Sequence, residues 1–252
     1  MRYLFSQAAA AELGQLAAER TLCAFDFDGT LAPIVERPED AQMRDRTRSL
    51  LTQVAAVYPC VIVSGRARAD VLKRMAGVPV EGVFGNHGAE SSGRSAAALL
   101  RVEEWRASLE PEISALTGAW IEDKGLSLAV HYRQCPDKTA ARKRILTAVR
   151  KLQGVRIIPG KQVVNVLMTD APHKGQAVAS ERKRLNCKCV LFVGDDENDE
   201  DAFAMDARIV SVRVGRKRDS SARYYLKSQA EIDKLLETLV TQYDRARHRE
   251  VA

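Results

Sequence analysis

The chain has 252 residues, of which 46% are hydrophobic and 29% are charged. These values are typical of a soluble globular protein, and they exclude a disordered chain, a collagen-like repeat and a small disulfide-stabilised scaffold. Lys and Arg (39) outnumber Asp and Glu (33), which gives a net charge of +6. A positive surplus of this size attracts anions, but it does not distinguish nucleic acid, lipid headgroups and a phosphorylated substrate.

Cysteine spacing and the N-terminal sequence bear on the compartment. The five cysteines are scattered and form no C-x-x-C pair, so neither a disulfide framework nor a zinc site is expected. Gln7 and Glu12 interrupt the apolar stretch near the N-terminus, which favours an amphipathic helix over a secretory signal. No run approaches the roughly 18–20 apolar residues that a membrane span needs. We therefore expect a cytoplasmic, monomeric protein that binds no membrane.

Short apolar runs alternate with helical patterns in the first ninety or so residues. The predicted strands lie at 22–25, 61–63 and 83–84, and the predicted helices at 40–58 and 70–75. Strands that are apolar throughout and separated by helices are typical of a parallel sheet covered on both faces.

The pattern changes at the small, polar segment SSGRSAAA (91–98), which predicts a hinge. Helices are then predicted at 96–116 and 136–152, and strands at 120–122, 127–133, 155–158 and 163–167. The strand at 127–133 alternates, with Leu128, Val130 and Tyr132 on one face and His131 and Arg133 on the other. This order of helix, hairpin, helix, hairpin predicts an α+β module with an antiparallel sheet.

After this module, apolar strands again alternate with helices, the pattern typical of a parallel sheet. The remaining predicted elements are helices at 175–185 and 229–247 and strands at 190–193 and 209–214. We predict an α/β fold, a Rossmann-like doubly wound parallel sheet with an α+β module inserted between its halves. The predicted boundaries are 1–93 and 171–252 for the two parts of the core and 94–170 for the insert.

Acidic and hydroxyl residues follow three of the predicted strands. The segments are Asp26-Phe27-Asp28-Gly29-Thr30, Ser64-Gly65-Arg66 and Gly194-Asp195-Asp196. Ligands bind beyond the carboxyl ends of the strands in an open parallel sheet, so we expect these side chains in one cleft. Carboxylates gathered this closely need a cation, and their hard oxygens suit Mg²⁺.

The same cleft has features that favour phosphate. Ser64, the Gly65 backbone and Arg66 offer donors at a strand-to-helix turn, and Lys174 stands just before another predicted helix. Asp26 and Asp28 are two positions apart and project to the same side of an extended strand. One carboxylate can attack phosphorus while the other handles the proton of the leaving group. This predicts phosphoryl transfer through an aspartyl phosphate.

These motifs resemble those of the haloacid dehalogenase-like phosphatases. Asp26-Phe27-Asp28-Gly29-Thr30-Leu31 is similar to the first motif of that superfamily, and Ser64, Lys174 and the segment 194–201 are similar to the other three, in order. Four segments resemble the trehalose-6-phosphate phosphatases, and the similarity extends over essentially the whole chain. They are Ser64-Gly65-Arg66, Gly85-Asn86-His87-Gly88-Ala89-Glu90, Glu122-Asp123-Lys124-Gly125 and His131-Tyr132-Arg133. The resemblance implies a haloacid dehalogenase-like core with the insert as a C2-type cap.

The resemblance also implies a role for each matching residue. Asp26 would be the nucleophile, and Asp28 the general acid and then the general base. The implied metal ligands are Asp26, Asp28 through its carbonyl and Asp195, with Asp199 behind them. The implied phosphate-binding residues are Thr30, Ser64, Gly65, Arg66 and Lys174. The implied substrate-binding residues are Asn86, His87, Glu90, Glu122, Lys124, His131, Arg133 and Asn165.

One segment departs from the family pattern. A Glu followed by a basic residue and Pro is expected shortly after Gly160-Lys161, and Asn165, Leu167 and Met168 stand there instead. Asn can still hydrogen-bond a hydroxyl, but it carries no charge. The predicted function is Mg²⁺-dependent hydrolysis of trehalose 6-phosphate, and the alternative is a phosphatase for another sugar phosphate or a glycosyl phosphate.

Two alternatives belong to other classes. A nucleic-acid-binding module would need a basic stripe with interleaved aromatic residues, and the 6% of aromatic residues show no such clustering. A catalytically silent sensor of the same fold is disfavoured because the motifs are intact. We therefore expect a small sugar phosphate as the partner, and no nucleic acid.

Overall fold

The computed structural model describes residues 1–91, 96–205 and 208–251, which contain a seven-stranded and a four-stranded sheet. The strands are β1 (Arg2–Tyr3), β2 (Thr21–Phe25), β3 (Cys60–Val63), β4 (Gly82–Phe84), β5 (Trp120–Asp123), β6 (Ser127–His131), β7 (Val155–Gly160), β8 (Val163–Met168), β9 (Cys189–Gly194), β10 (Ile209–Val214) and β11 (Tyr224–Leu226). The helices are α1 (Gln7–Ala18), α2 (Asp45–Val57), α3 (Arg68–Arg74), α4 (Ala96–Ser114), α5 (Lys138–Val149), α6 (Lys174–Arg184), α7 (Glu200–Phe203) and α8 (Ile232–Val251).

The larger sheet, here called the core sheet, has the order β1-β11-β10-β9-β2-β3-β4, and all its strand pairs are parallel. Strand β2, an interior strand of this sheet, is buried along its whole length. Cys23 and Phe25 pack in a cluster with residues of α1, α2 and α8, whereas Leu22 and Ala24 pack in a second cluster with residues of α6 and α7. Burial on both faces explains why the strand is apolar throughout, and it confirms the predicted doubly wound core.

The smaller sheet, here called the cap sheet, has the order β5-β6-β8-β7 and is antiparallel. Leu128 and Val130 of β6 belong to an apolar cluster with Trp105 of α4 and Ile145 of α5. His131, at the end of β6, is not part of that cluster. The predicted α+β module with alternating faces is thus confirmed, and its second face is free to meet the core.

Several predicted element boundaries differ from those of the structure. Helix α2 begins at Asp45 instead of at 40, because Pro38–Asp40 forms a separate 3₁₀ turn. Helix α5 begins at Lys138 instead of at 136, because the Asp137 side chain caps it by accepting a hydrogen bond from the Ala140 N–H (2.9 Å). Strands β1 and β11 were missed, because two or three residues show no periodicity.

The segment between core and cap lies partly outside the described residues. The predicted hinge at 91–98 includes 92–95, and so does the predicted boundary between 93 and 94. The division into core and cap segments therefore stays a prediction at this junction. No helix among residues 1–91, 96–205 and 208–251 has the length and apolar character that crossing a membrane requires.

Candidate active site

A cleft of about 500 Å³ lies between the carboxyl ends of the core strands and the polar face of the cap sheet. The core contributes Asp26, Asp28, Gly65, Arg66, His87, Lys174 and Asp195 to its lining. The cap contributes Glu122, Lys124, His131, Arg133 and Asn165. The structure therefore brings together most of the residues that sequence motifs pointed to, from segments up to 170 positions apart in the chain.

Three buried carboxylates form the most acidic part of the cleft. Asp26 follows β2, Asp195 follows the neighbouring β9, and Asp199 lies in the 3₁₀ turn after it. One carboxylate oxygen from each lies within 4.8 Å of the others, a spacing that suits a shared cation. Burial, and then the charge of Asp199, raise the pKa of Asp195 to about 6. Burial likewise raises the pKa of Asp26 well above its usual range, although Lys174 opposes the shift.

Gly29 leaves the space that Asp195 occupies. Its backbone has a φ of +77°, a conformation that glycine adopts at little cost. A side-chain carbon at this position would overlap the Asp195 carboxylate. The glycine of the first motif is therefore required both by the turn and by the approach of the acidic residue.

Lys174 places a buried positive charge among these acids. It begins α6 with only 1% of its surface exposed, and its Nζ lies 2.9 Å from Asp26 Oδ1 and 2.7 Å from Asp199 Oδ1. Burial alone would lower the pKa of Lys174, but the two carboxylates raise it, so the ammonium stays charged. The second oxygen of Asp199 accepts the backbone N–H groups of Asp195 and Asp196, both at 2.9 Å. Both carboxylate oxygens of Asp199 therefore accept hydrogen bonds from Lys174 and from the loop after β9.

Arg66 holds Asp28 with two hydrogen bonds. Its Nε and Nη2 donate to the two carboxylate oxygens of Asp28 at 2.6 and 2.7 Å, and its Nη1 donates to Asp70 at 2.8 Å. Nη2 also donates to the Pro38 carbonyl (2.7 Å). Both termini of the guanidinium are therefore occupied by protein oxygens. The two hydrogen bonds fix the orientation of Asp28, and the phosphate contact of Arg66 stays a prediction.

The two predicted hydroxyl groups are fully buried beside the cleft and do not line its open volume. Ser64 Oγ accepts the backbone N–H of Arg66 (3.2 Å), and Thr30 Oγ1 has no hydrogen-bond partner among the described residues. Gly65 follows Ser64 and is packed against His87. A side-chain carbon there would lie 2.5 Å from His87 Cε1.

His87 is buried with both ring nitrogens lacking a hydrogen-bond partner in the described structure. Its backbone φ is +59°, in the left-handed region. Burial, and then the charges of Lys124 and Lys174, hold the pKa of His87 well below its usual range. The imidazole is therefore neutral at pH 7, with one donor and one acceptor at the cleft wall.

The cap reaches the core through Lys124, whose Nζ donates to the Gly65 carbonyl at 3.0 Å. The Lys124 carbonyl in turn accepts from Asn86 Nδ2 (3.0 Å), and Asn86 Oδ1 accepts from Ser127 Oγ (2.6 Å). Burial lowers the pKa of Lys124, an effect that the charge of Glu122 offsets in part. Asn86 thus joins the core loop to the cap rather than lining the open volume of the cleft.

Glu122 and His131 form a hydrogen-bonded pair on the cap, with 2.8 Å between Oε2 and Nε2. Burial opposes ionisation of Glu122, but the hydrogen bond from His131 and the charge of Lys124 outweigh it and lower the pKa of Glu122. Arg133 donates to the backbone carbonyls of Val35 (2.5 Å) and Glu36 (3.2 Å) in the core loop after β2. The cap sheet therefore contacts the core loops on two sides of the cleft.

The profile of the trehalose-phosphatase family matches residues 24–230 of the chain. The chain belongs to this family. The matched range covers both the core and the cap residues described above.

Two curated proteins and one solved structure illustrate what the chain is similar to. An uncharacterized glycosyl hydrolase of Mycobacterium tuberculosis is 35% identical over an alignment of 209 positions. This alignment covers 75% of this chain and 15% of that protein. A probable trehalose-phosphate phosphatase of Oryza sativa is 29% identical over 85% of this chain and 64% of its own length. The chain thus spans less than two thirds of the length of these curated relatives. The solved C-terminal domain of a Candida albicans trehalose-6-phosphate phosphatase superposes with a TM-score of 0.78 at 22% identity, covering 92% of this chain and 97% of that domain.

Glu90 lies apart from the other predicted residues of this trehalose-phosphatase family member. Its carboxylate accepts the backbone N–H of Arg68, and it lines a separate pocket with Leu72 and Glu181. The structure therefore does not place Glu90 at the cleft, where the family resemblance implied a substrate contact.

Lys161 and Trp120 are among the residues that line the cleft of this family member but were not predicted from the sequence. Lys161, in the turn between β7 and β8, places Nζ 2.5 Å from Asp195 Oδ2. Trp120, at the start of β5, stacks on the His131 ring with 4.1 Å between centroids and 11° between planes. The available signals were the Gly160-Lys161 turn and the position of Trp120 two residues before Glu122 on one strand face.

Proposed function

We propose that the chain is a Mg²⁺-dependent phosphatase that hydrolyses trehalose 6-phosphate to trehalose and inorganic phosphate. The observation that carries the proposal is the position of Asp26, buried with Asp195 and Asp199 at the end of a cleft whose other wall is Glu122, Lys124 and His131 of the cap. The names of the plant and fungal relatives support the same substrate.

The acidic cluster fits a magnesium ion, because carboxylate oxygens from three side chains converge within 4.8 Å. Asp26 and Asp195 would hold the ion together with the backbone carbonyl of Asp28, and Asp199 would support them from behind. When bound, the ion neutralises the carboxylates and offsets the negative charge of the phosphoryl oxygens.

In the first half of the proposed reaction, Asp26 attacks phosphorus and the bond from phosphorus to the sugar oxygen breaks. Asp28 gives its proton to that departing oxygen, so the sugar leaves as an alcohol. In the second half, Asp28 takes a proton from a water that attacks the aspartyl phosphate, which releases phosphate and restores Asp26. Arg66 supports the second half, in which Asp28 acts as the base, by holding the two oxygens of the ionised carboxylate in one orientation.

In this proposal, the transferring phosphate is bound by Lys174, Ser64 and the Gly65 backbone. Lys174 brings a positive charge, and because the side chain is buried, solvent screens this charge little. Ser64 and Gly65 lie at the start of the loop that leads to α3, where backbone N–H groups favour anions.

The cap, proposed to span 94–170, recognises the sugar and excludes water from the phosphoryl group. Glu122 and His131 supply acceptors and donors for hydroxyl groups. Asn165 Nδ2 donates to the Ile158 carbonyl (3.3 Å), so its amide oxygen is the group left for a substrate hydroxyl. This uncharged residue, at a position where the family pattern has Glu, motivates the second candidate, a phosphatase for a different sugar phosphate.

A panel of sugar phosphates tests the proposal. Phosphate release would be measured with trehalose 6-phosphate, sucrose 6-phosphate, glucose 6-phosphate and glucose 1-phosphate, each with Mg²⁺ and with EDTA. We expect the highest kcat/KM for trehalose 6-phosphate, at least tenfold above the others, since tenfold needs only about 1.4 kcal/mol of extra binding. Turnover of another sugar phosphate with none of trehalose 6-phosphate would favour the second candidate, and full activity in EDTA would contradict the metal dependence.

A further inference from the structure

We infer that Trp120 is an aromatic platform for the sugar ring that carries no phosphate. The inference rests on the proposed function and deepens it, because it names a residue that lets the site discriminate between a disaccharide phosphate and a monosaccharide phosphate.

The first observation is the exposure of apolar side chains at the mouth of the cleft. Trp120 is 44% exposed and Ile34 is 46% exposed, and both line the cleft, one from the cap and one from the core loop after β2. The indole ring is one of the largest apolar surfaces a protein can offer, and an indole left open at a binding cleft is available to a ligand. The C–H-rich face of a pyranose ring is a surface of matching shape and polarity.

The second observation is the rigidity of the indole. Trp120 faces His131 across β5 and β6, and the two rings are nearly parallel at 4.1 Å. The His131 ring is itself held by the hydrogen bond to Glu122 (2.8 Å). One indole face is thus covered and fixed, so the exposed area belongs to the opposite face and the rim. A platform held in this way loses little conformational entropy when a ligand binds.

The third observation is the distance from the phosphate end of the site. Trp120, Glu122 and Lys124 occupy alternate positions along β5 and its extension, and all three line the cleft. At about 3.3 Å of rise per residue, Trp120 lies roughly 13 Å along the strand from Lys124, whose ammonium contacts the Gly65 carbonyl. A hexose phosphate anchored next to Ser64 and Lys174 fills the inner part of this span. The outer part, with Trp120, is reached by a second ring.

The kinetic test compares Trp120→Ala and Trp120→Phe with Leu100→Ala, an exposed apolar residue on α4 that does not line the cleft. We expect Trp120→Ala to lower kcat/KM for trehalose 6-phosphate about tenfold, mainly through KM, which corresponds to about 1.4 kcal/mol. The inhibition constant of glucose 6-phosphate should change less than about twofold, because one ring does not reach the platform. Trp120→Phe should restore most of the loss, and Leu100→Ala should behave as the unaltered chain.

A binding measurement tests the same inference without turnover. The chain has two tryptophans, and Trp105 is buried, so acrylamide quenching of fluorescence reports on Trp120. We expect trehalose to protect Trp120 from acrylamide, and glucose to protect it much less. Lack of protection by trehalose, or an equal loss of affinity for trehalose 6-phosphate and glucose 6-phosphate in Trp120→Ala, would overturn the inference and leave the proposed function standing. Absence of trehalose 6-phosphate hydrolysis in the unaltered chain would instead overturn the proposed function.

Discussion

Lys161 of the cap places its ammonium nitrogen 2.5 Å from a carboxylate oxygen of Asp195, which follows β9 of the core sheet. The lysine side chain is half exposed, whereas Asp195 is buried within the acidic cluster. An ammonium group and a divalent cation compete for the same carboxylate. We therefore expect cation binding at the acidic cluster to be coupled to the position of this cap turn.

The substitution Lys161→Gln should strengthen Mg²⁺ binding in the absence of substrate, because Mg²⁺ then no longer has to displace an ammonium group from Asp195. An ion pair of this partial exposure contributes up to about 1 kcal/mol, which predicts an affinity gain of up to about fivefold. The measurement is the rise in Tm as a function of Mg²⁺ concentration, fitted to the logarithmic dependence on free ligand concentration that yields the dissociation constant. Lys151→Gln, which removes a surface pair with Glu112, is the matched control. Unchanged or weaker Mg²⁺ binding in Lys161→Gln would show that the two cations do not compete.

Lys174→Met should destabilise the fold, because it leaves Asp26 and Asp199 buried without their positive partner. Breaking a buried ion pair in this way costs about 3–5 kcal/mol, and added Mg²⁺ should recover part of the loss. The free energy of unfolding in urea, with EDTA and with Mg²⁺, measures both effects. Lys183→Met, at an exposed position of the same helix, should cost little. A loss below about 1 kcal/mol in Lys174→Met would mean that the buried acids do not depend on this charge.

Arg66→Lys tests whether Arg66 positions Asp28 or binds the substrate phosphate. A lysine cannot reproduce the two parallel hydrogen bonds to Asp28, so we expect kcat to fall about 10–100-fold with little change in KM. Arg74→Lys is the control, since Arg74 also binds Asp70 but does not contact Asp28. A raised KM with unchanged kcat would assign Arg66 to the substrate phosphate, as the family motif alone suggested.

His87 should make the fold sensitive to mild acid. Unfolded His titrates near pH 6.5, whereas folded His87 takes up its proton only at lower pH. Between these two pH values the unfolded state binds more protons at this residue, so the contribution of His87 to the free energy of unfolding falls as pH drops below about 6.5, by at most about 1.4 kcal/mol per pH unit.

His87→Asn should remove this slope, and Asn tolerates the left-handed backbone at this position. The measurement is the free energy of unfolding at pH 7.5, 6.5 and 5.5 in EDTA. His248→Asn, at an exposed site on α8, should keep the slope of the unaltered chain. Parallel pH curves for the unaltered chain and His87→Asn would contradict the neutral, buried state of the imidazole.

The sequence predicts the core of this site well, because its chemistry lies at strand ends. Asp26, Ser64 and Asp195 each follow an apolar run, and parallel strands carry their carboxyl ends to one edge. The alternation of β6 similarly separates His131 from the apolar cap cluster. These positions follow from local patterns and from one rule of topology.

Contacts between distant segments could not be predicted in the same way. The pairing of Arg66 with Asp28, the stacking of Trp120 on His131 and the pairing of Lys161 with Asp195 depend on which segments the tertiary structure brings together, within the core, within the cap and between the two. Glu90 shows the converse, since its place in a motif gave no indication that its carboxylate contacts the backbone of α3. Hydrophobic periodicity and motif spacing do not indicate which distant side chains come into contact.

We propose Asp26 as the nucleophile in the hydrolysis of trehalose 6-phosphate. Trapping of the acyl phosphate tests this role most directly. The protein would be mixed with trehalose 6-phosphate labelled in the phosphate, in the presence of Mg²⁺, quenched within milliseconds and treated with hydroxylamine. We expect label on the chain that hydroxylamine releases, a hydroxamate at Asp26 in the mapped peptide, and neither label nor phosphate release in Asp26→Asn. Phosphate release by Asp26→Asn at the rate of the unaltered chain, or label at another residue, would contradict the account.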